Sequence, residues 1–332
     1  MNKTASKLSL SEIYRCLYPW RSIDEFVSQL QSSIAYKSPD NSLVALNKPF
    51  GVGTYTVLDT NTKKQNPDKS LSGLSGHPKY CLSDALEPLS DILGSPKKYE
   101  IIKGIDRYCS GLVLITNNDD HVNNFRRATA ASRIHKWPPF GFRAITNGYP
   151  TLSSDKIHET VGVERVEIDE LGDHKEPIIS ANKGSTYRRN PNRKAIQAEL
   201  IVKKVNKELS CSMVELYTSN LGWDFTRLYI SSKTAFILGD VRFSRRIKKV
   251  LGKRIQLSGY QSTARYDDSY EPLDEMLSSA LQVKKNNQIP LMLDHHCLRL
   301  KYFDKKTKED LLIVSEHTPL HFLATGQCLG LL

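Results

Sequence analysis

The chain has 332 residues, of which 39% are hydrophobic, so it can bury a sizeable core in one large domain or two smaller ones. Lys and Arg exceed Asp and Glu by 47 to 36, and the resulting charge of +11 favours a polyanionic partner over a protein that is simply soluble and basic. No apolar run approaches the roughly 18 residues of a membrane span. The cysteines show no CxxC spacing, which argues against a disulfide framework or a zinc site and indicates a reducing compartment.

Residues 1–40 are predicted to form a helical N-terminal extension. Within the first 22 residues, Lys3, Lys7, Arg15 and Arg21 stand against the single acid Glu12, among Ser, Thr and Leu residues. A basic, acid-poor segment of this kind is typical of a mitochondrial transit peptide, and an amphipathic surface helix explains it equally well. Both interpretations stay open on these residues alone.

The first half of the remaining chain mixes strands with helices. A strand is predicted from Ser42 to Leu46, ended by the turn Lys48-Pro49-Phe50-Gly51. The polar stretch Asp59–Lys79 is typical of a long surface loop. A helix is predicted at Leu82–Leu93, although Pro88 disturbs it.

Two further strands and one helix are predicted before residue 150. The run Gly111–Thr116 suits a buried strand, and Asp119-Asp120 places acids at the positive end of the following helix. Phe142–Thr146 indicates another strand, which ends at Asn147-Gly148.

The second half contains mainly predicted strands. A charged stretch at Asp169–Arg193 comes first. A hairpin of Ala195–Val205 and Leu209–Tyr217 is predicted after it, and two late strands are predicted at Pro290–Leu300 and Leu311–Val314. Strands and helices alternate without a regular βαβ repeat, so the sequence predicts an α+β fold.

The passage from Lys103 to Leu114 carries a motif. It resembles the central motif of RluA-type pseudouridine synthases, H-R-L-D-x-x-T-S-G-L-x-L, with Asp106 on the family's nucleophilic aspartate and Ser110-Gly111-Leu112 on S-G-L. Further family landmarks stand in the right order: Leu46–Gly51, Arg227 with Leu238-Gly239-Asp240, Pro290–Leu300, Pro319–Phe322, and Leu329–Leu331. The resemblance covers about Leu43 to Leu332.

The resemblance implies one pseudouridine synthase catalytic domain over residues 41–332. Its sheet would be mixed and mostly antiparallel, with helices and loops flanking a central RNA-binding cleft. The ending Gln327–Leu331 and the basic stretch after Asp240 are most similar to the animal mitochondrial branch, which implies the mitochondrial matrix.

This chain departs from the family pattern at three places. The family's His-Arg before Leu-Asp is Lys103-Gly104, and its tyrosine in the next strand is Phe142. The family's T-G-R-T-H-Q-I segment has become Asn220–Thr226. The expected fold survives these changes, whereas the expectation of activity is weakened.

The implied chemistry needs one carboxylate and neither metal nor cofactor, because uracil is detached and rejoined without redox change. Asp106 would act as the nucleophile or base, kept ionised by Arg227. Phe142 would stack on the extruded uracil, with Lys103 or Arg107 in place of the missing arginine.

A basic cluster after Asp240 is the clearest predicted RNA-binding surface. If this stretch were helical, several of its cations would share one face, and a solvated helix face is the alternative. The predicted RNA-binding residues are Arg242, Arg245, Arg246, Lys248 and Lys249. A weaker run consists of Arg188, Arg189, Arg193 and Lys194 with Tyr187.

Asp294-His295-His296-Cys297 resembles a metal cluster but is better explained as a strand. Neighbouring residues of a strand point to opposite faces, so adjacent histidines make a poor pair of metal ligands.

Two hypotheses about function follow. The first is a monomeric synthase that converts uridine to pseudouridine in mitochondrial rRNA or mRNA, with a role in rRNA processing among the possibilities. The second is a catalytically weak RNA-binding protein that acts in mitochondrial ribosome assembly together with assembly proteins.

Overall fold

The computed structural model describes residues 9–55, 78–151, 154–167, 175–180, 192–250, 253–257 and 273–332. Most of the predicted surface loop at Asp59–Lys79 lies outside these residues. The same holds for most of the charged stretch at Asp169–Arg193, including Tyr187, Arg188 and Arg189.

The helices begin where polar side chains can accept the first free backbone N–H groups. Ser9 and Glu12 form a capping box at the first helix, and Asn118 accepts from the N–H of Asp120 at the fourth. In the described residues the helices are α1 (Leu10–Arg15), α2 (Ile23–Ser32), α3 (Leu82–Ile92), α4 (Asp119–Ile134), α5 (Phe225–Lys233), α6 (Glu275–Leu281) and α7 (Leu320–Cys328). The predicted helix with Pro88 inside it is confirmed as α3, and the predicted start at Asp119 as that of α4.

The strands include those predicted and add others, among them a strand of 12 residues at Lys156–Glu167. They are β1 (Ile34–Lys37), β2 (Leu43–Lys48), β3 (Glu100–Lys103), β4 (Ser110–Thr116), β5 (Phe140–Asn147), β6 (Lys156–Glu167), β7 (Lys175–Ser180), β8 (Arg193–Asn206), β9 (Cys211–Thr218), β10 (Phe236–Ile237), β11 (Ile247–Val250), β12 (Lys253–Gln256), β13 (Leu293–Leu300) and β14 (Leu311–Val314). The predicted hairpin is β8–β9, and the two late strands are β13 and β14.

Most of the strands form one mixed sheet. Its order is β1-β2-β4-β13-β5-β9-β8-β6-β7, with β3 on β4, β10 on β5 and β14 on β13. Among the described strands, the pair β4–β13 is parallel and the other pairs are antiparallel. The predicted α+β fold with a mixed, mostly antiparallel sheet and flanking helices is confirmed.

Residues 9–40 pack against the rest of the molecule. Phe26 and Leu30 of α2 are fully buried, and β1 pairs with β2 at the end of the sheet. The Tyr14 hydroxyl lies 2.7 Å from Thr325 Oγ1, which ties α1 to α7. A role of this segment in targeting stays a prediction.

The basic stretch after Asp240 does not form an α-helix in the described residues, so the condition for a shared helical face is not met. Ser244–Arg246 forms a single 3₁₀ turn, and the chain then continues as the β11–β12 hairpin. A strand turns neighbouring side chains to opposite faces, so this stretch has no common helical face. None of the helices in the described residues combines the length and the apolar composition that a membrane span requires.

Candidate active site

Asp106 lies in the turn that joins β3 to β4. Its Oδ1 accepts a hydrogen bond of 2.8 Å from the N–H of Tyr108, and its carbonyl accepts one of 3.1 Å from the N–H of Cys109. These two bonds hold the turn, and the Asp106 side chain is exposed. The carboxylate can therefore meet a ligand that approaches from outside.

Lys48, at the end of β2, lies in the interior behind this turn. Its Nζ donates to the carbonyl oxygens of Pro49 at 3.1 Å, Val52 at 2.9 Å and Arg107 at 3.2 Å. Burial lowers the pKa of Lys48 to about 8, while Cys109 and Asp106 act in the opposite direction. Lys48 thus ties the Asp106 turn to the Lys-Pro-Phe-Gly turn and puts positive charge behind the carboxylate.

Lys48 is not among the predicted site residues. Its signal in the sequence is the Lys-Pro-x-Gly turn, which indicates a strand end but no partner.

The Thr54 side chain packs closely against the backbone of the Asp106 turn. Thr54 Oγ1 donates to the carbonyl of Ile105 at 3.3 Å, and a β-carbon at Gly104 would lie 2.7 Å from the same hydroxyl. The space beside Gly104 is thus already taken by Thr54. Arg107 also contacts the segment before Thr54, because its Nε donates to the Gly51 carbonyl at 3.4 Å.

The Ser-Gly-Leu part of the motif joins β4 to β13. Gly111 has a φ of +108°, and a β-carbon there would lie 2.2 Å from the carbonyl oxygen of His295. Ser110 donates to Asp294 Oδ1 at 2.8 Å, and Arg143 Nε donates to Asp294 Oδ2 at 2.9 Å. This part of the motif therefore has a structural role.

Arg227 has a different main partner from the one predicted. Its Nε donates to Asp240 Oδ2 at 2.9 Å and its Nη2 to Asp240 Oδ1 at 2.6 Å, and both side chains are buried. Burial by itself would lower the pKa of Arg227. The charge of Asp240 and its hydrogen bonds outweigh burial and raise this pKa, and Asp224 and Asp106 raise it by smaller amounts. Asp106 is thus within electrostatic range of Arg227, while the bidentate pair is with Asp240.

Phe142 and Lys103 both lie near His295 of β13. The Phe142 ring is 3% exposed and stacks on His295 with centroids 4.7 Å apart. Lys103 is half-buried and lines a small cavity with Phe140 and His295, and burial lowers its pKa. Phe142 therefore has no open ring face for a uracil in this structure, because it is buried and stacks on His295 of β13.

Two cations of the predicted RNA-binding cluster pair with acids of the protein itself. Arg246 is 4% exposed and donates to Glu176 Oε2 at 2.8 Å, and Arg242 donates to the same oxygen at 2.9 Å and also to Asp224. Arg245 is half-buried, and the backbones of Lys248 and Lys249 belong to β11. Glu176 comes from β7, far away in sequence, so local charge counting could not reveal it.

The strand interpretation of Asp294–Cys297 is confirmed. The residues lie in β13, where His295 contacts Phe142 on one face and His296 contacts Tyr217 on the other. In the parts of the chain that the structure covers, no group of three His, Cys, Asp or Glu residues could hold a metal ion.

The sequence and the fold were compared with known proteins. The chain is 26% identical over 322 residues to the mitochondrial mRNA pseudouridine synthase RPUSD3 of Bos taurus, which covers 93% of this chain and 80% of that protein. The corresponding protein of Homo sapiens is 23% identical over 319 residues, covering 93% and 79%. No family model matches the chain.

A solved structure shows the same fold. The human protein described as RNA Pseudouridylate Synthase Domain Containing 4 superposes with a TM-score of 0.59 at 16% identity, over 93% of this chain and 97% of that one. The predicted fold and the resemblance to the mitochondrial branch are both confirmed by these similarities.

Proposed function

We propose that this chain, a relative of the RluA-type pseudouridine synthases with their fold, is itself an RNA pseudouridine synthase with Asp106 as its nucleophile. The observation that carries this proposal is the placement of Asp106. An exposed carboxylate stands on a turn held by buried Lys48, within electrostatic range of buried Arg227.

This arrangement suits the chemistry of uridine isomerisation. Two buried cations near one carboxylate favour its ionised form, which is the form that attacks or accepts a proton. The tether to Lys48 keeps the turn from moving when a nucleotide enters, so part of the ordering cost is met before binding. In this proposal Asp106 acts on the flipped nucleotide, while Arg227 contributes charge and holds Asp240.

The proposed substrate is RNA in the mitochondrial matrix. Two relatives carry names that describe mitochondrial mRNA pseudouridine synthases, and this similarity favours mRNA, with rRNA as the other possibility. The charge of +11 supports a polyanionic substrate. We further propose a monomer whose catalytic domain spans residues 41–332.

The test is to map pseudouridines formed by the purified protein on mitochondrial transcripts. Asp106→Asn keeps the oxygen that accepts from Tyr108 but removes the charge, so we expect it to abolish product. Asp304→Asn is the matched control, because Asp304 is also exposed and accepts backbone N–H groups from Lys306 and Thr307. Equal product from wild type and Asp106→Asn would show that Asp106 is not the nucleophile.

The second candidate is a catalytically weak RNA-binding protein in mitochondrial ribosome assembly. The burial of Phe142 and the engagement of Arg227 by Asp240 favour it, since both side chains were expected to serve the substrate. It predicts that Asp106→Asn restores ribosome assembly in cells lacking the protein, while the pseudouridine pattern is the same with and without the protein.

A further inference from the structure

Trp223 lies between two cations in the loop before α5. The Nζ of Lys194 is 4.1 Å from its ring centroid, and the Cζ of Arg165 is 4.9 Å away. Trp223 and Asp224 both have left-handed backbones, with φ of +64° and +50°. Such a conformation is costly for residues other than glycine, so this loop holds the indole in place at some cost to stability.

A third cation lies beside this loop. Arg133, at the end of α4, donates through Nε to the carbonyl of Ser219 at 3.2 Å and is exposed. We call Arg133, Arg165, Lys194 and Trp223 the Trp223 cluster.

In the described parts of the chain, the cations of the Trp223 cluster have no acidic partner. Within the described residues, no carboxylate forms an ion pair with Arg133, Arg165 or Lys194. The strand pairing explains why. Glu164 of β6 lies opposite Arg193 of β8, and the two form an ion pair at 2.9 Å. Their neighbours in sequence, Arg165 and Lys194, point to the opposite face of the sheet.

Trp137 provides an internal comparison. Lys301 lies 3.7 Å and Arg299 5.5 Å from its ring centroid, so it too has two cations. There, however, Lys301 pairs with Asp310 and Arg299 with Glu199, each at 2.6 Å. The cations around Trp137 are neutralised inside the protein, whereas those around Trp223 have no acidic partner among the residues that the structure describes.

The positive charge of the Trp223 cluster extends toward the Asp106 turn. Burial lowers the pKa of Lys194, and Arg165 and Arg133 lower it further. Burial also lowers the pKa of Lys103, with a further contribution from Arg133. Lys103 ends the strand that leads into the Asp106 turn, so Arg133 links that strand electrostatically to the Trp223 cluster.

We propose that the Trp223 cluster binds backbone phosphates of the RNA substrate. This inference rests on the proposed function and assigns its RNA contact to a surface other than the predicted basic stretch after Asp240. Like charges held together without acids are destabilising, and phosphate groups relieve that repulsion while releasing condensed counterions. The indole already contacts two of these cations, which limits the conformational freedom that they lose on binding.

The test measures RNA binding without turnover. A short fluorescein-labelled single-stranded RNA is titrated with the Asp106→Asn protein from about 50 to about 200 mM KCl. We expect Lys194→Gln and Arg165→Gln each to raise Kd about 3- to 10-fold and to reduce the slope of log K against log salt by about 0.7. Trp223→Ala should raise Kd as well, and Trp223→Phe should restore part of the affinity.

The matched control is Lys301→Gln, which removes a cation over Trp137 that already has an acidic partner. It should leave both Kd and slope unchanged, and thermal unfolding of each variant checks that the fold is intact. The proposal would be overturned if a protein carrying both Lys194→Gln and Arg165→Gln kept the slope of the parent. An equal loss of RNA affinity with Lys301→Gln would overturn it as well. RNA that fails to bind the parent protein would overturn it too.

The two proposals fail separately. If the wild-type protein forms no pseudouridine but the slope falls in the Trp223 cluster variants, the RNA site stands and the enzymatic function fails. If pseudouridine forms and the slope does not change, the Trp223 cluster is not the RNA site.

Discussion

The ammonium group of Lys48 donates a hydrogen bond of 3.2 Å to the carbonyl oxygen of Arg107, the residue after Asp106. A buried cation from the end of β2 thus sets the position of the turn that presents the candidate nucleophile. Lys48 is 1% exposed, so its charge is desolvated and costs stability even though it makes three hydrogen bonds.

The first prediction concerns Lys48 and alkaline pH. The unfolded chain keeps this proton up to the ordinary pKa of 10.5, whereas the folded protein releases it near the lowered pKa of about 8. Between these two pKa values the unfolded state therefore binds more protons than the folded state. The contribution of Lys48 to the free energy of unfolding should rise with pH over this range, by up to about 3 kcal/mol.

Denaturant unfolding of wild type and Lys48→Met from pH 7.5 upward, about 3 pH units in all, measures this difference. The stability of the wild type relative to the variant should increase with pH. Lys98→Met, at an exposed lysine, is the control. Parallel curves for wild type and Lys48→Met would contradict the assignment.

The second prediction concerns the buried pair of Arg227 and Asp240. Asp240→Asn leaves a buried guanidinium without its counter-charge, and it weakens the acceptor for the N–H groups of Arg242 and Phe243. We expect a loss of about 3–5 kcal/mol in the free energy of unfolding. Glu87→Gln, at the exposed pair with Lys98, should change it by less than about 0.5 kcal/mol. A similar small change for both variants would mean that the buried pair contributes no more than a surface pair.

The third prediction separates crowding from backbone strain at Gly111. Gly94 also has a positive φ, of +65°, but a β-carbon there would have nothing within 4 Å. Gly94→Ala should cost about 1–2 kcal/mol through its backbone alone. Gly111→Ala should cost more than about 4 kcal/mol or prevent folding, because the backbone of His295 would have to move. Equal thermal stabilities of the two variants would show that β4 and β13 separate easily.

The fourth prediction concerns acid and the buried His321. Burial lowers the pKa of His321 from 6.5 to about 3. Between these pH values the unfolded chain therefore binds a proton at this residue that the folded protein does not bind. Stability is therefore lost as pH falls below about 6.5, at about 1.4 kcal/mol per pH unit for this residue.

His321→Phe should unfold with a shallower dependence on pH between about 6 and 4 than the wild type, as measured in urea. His158→Phe, which removes an exposed histidine, controls for the substitution itself. If His321→Phe kept the full acid sensitivity of the wild type, the proton would have to bind elsewhere.

Several elements and the fold class can be predicted from local sequence signals. The apolar run at Gly111–Thr116 and the acids at Asp119-Asp120 encode a strand and a helix start through nearest-neighbour chemistry, and both are present. The motif around Asp106 likewise indicated a turn before a buried strand. Such signals are local, because backbone periodicity and caps depend on residues a few positions apart.

Which charges form pairs depends on how the strands and helices pack. Arg246 pairs with Glu176, which lies 70 positions away, and Arg227 takes Asp240 as its bidentate partner. The cations around Trp223 come from α4, β6 and β8, so no stretch of sequence displays them together. Ion pairs follow the distance between charged atoms and the water removed around them, and both are set when the strands pair into one sheet.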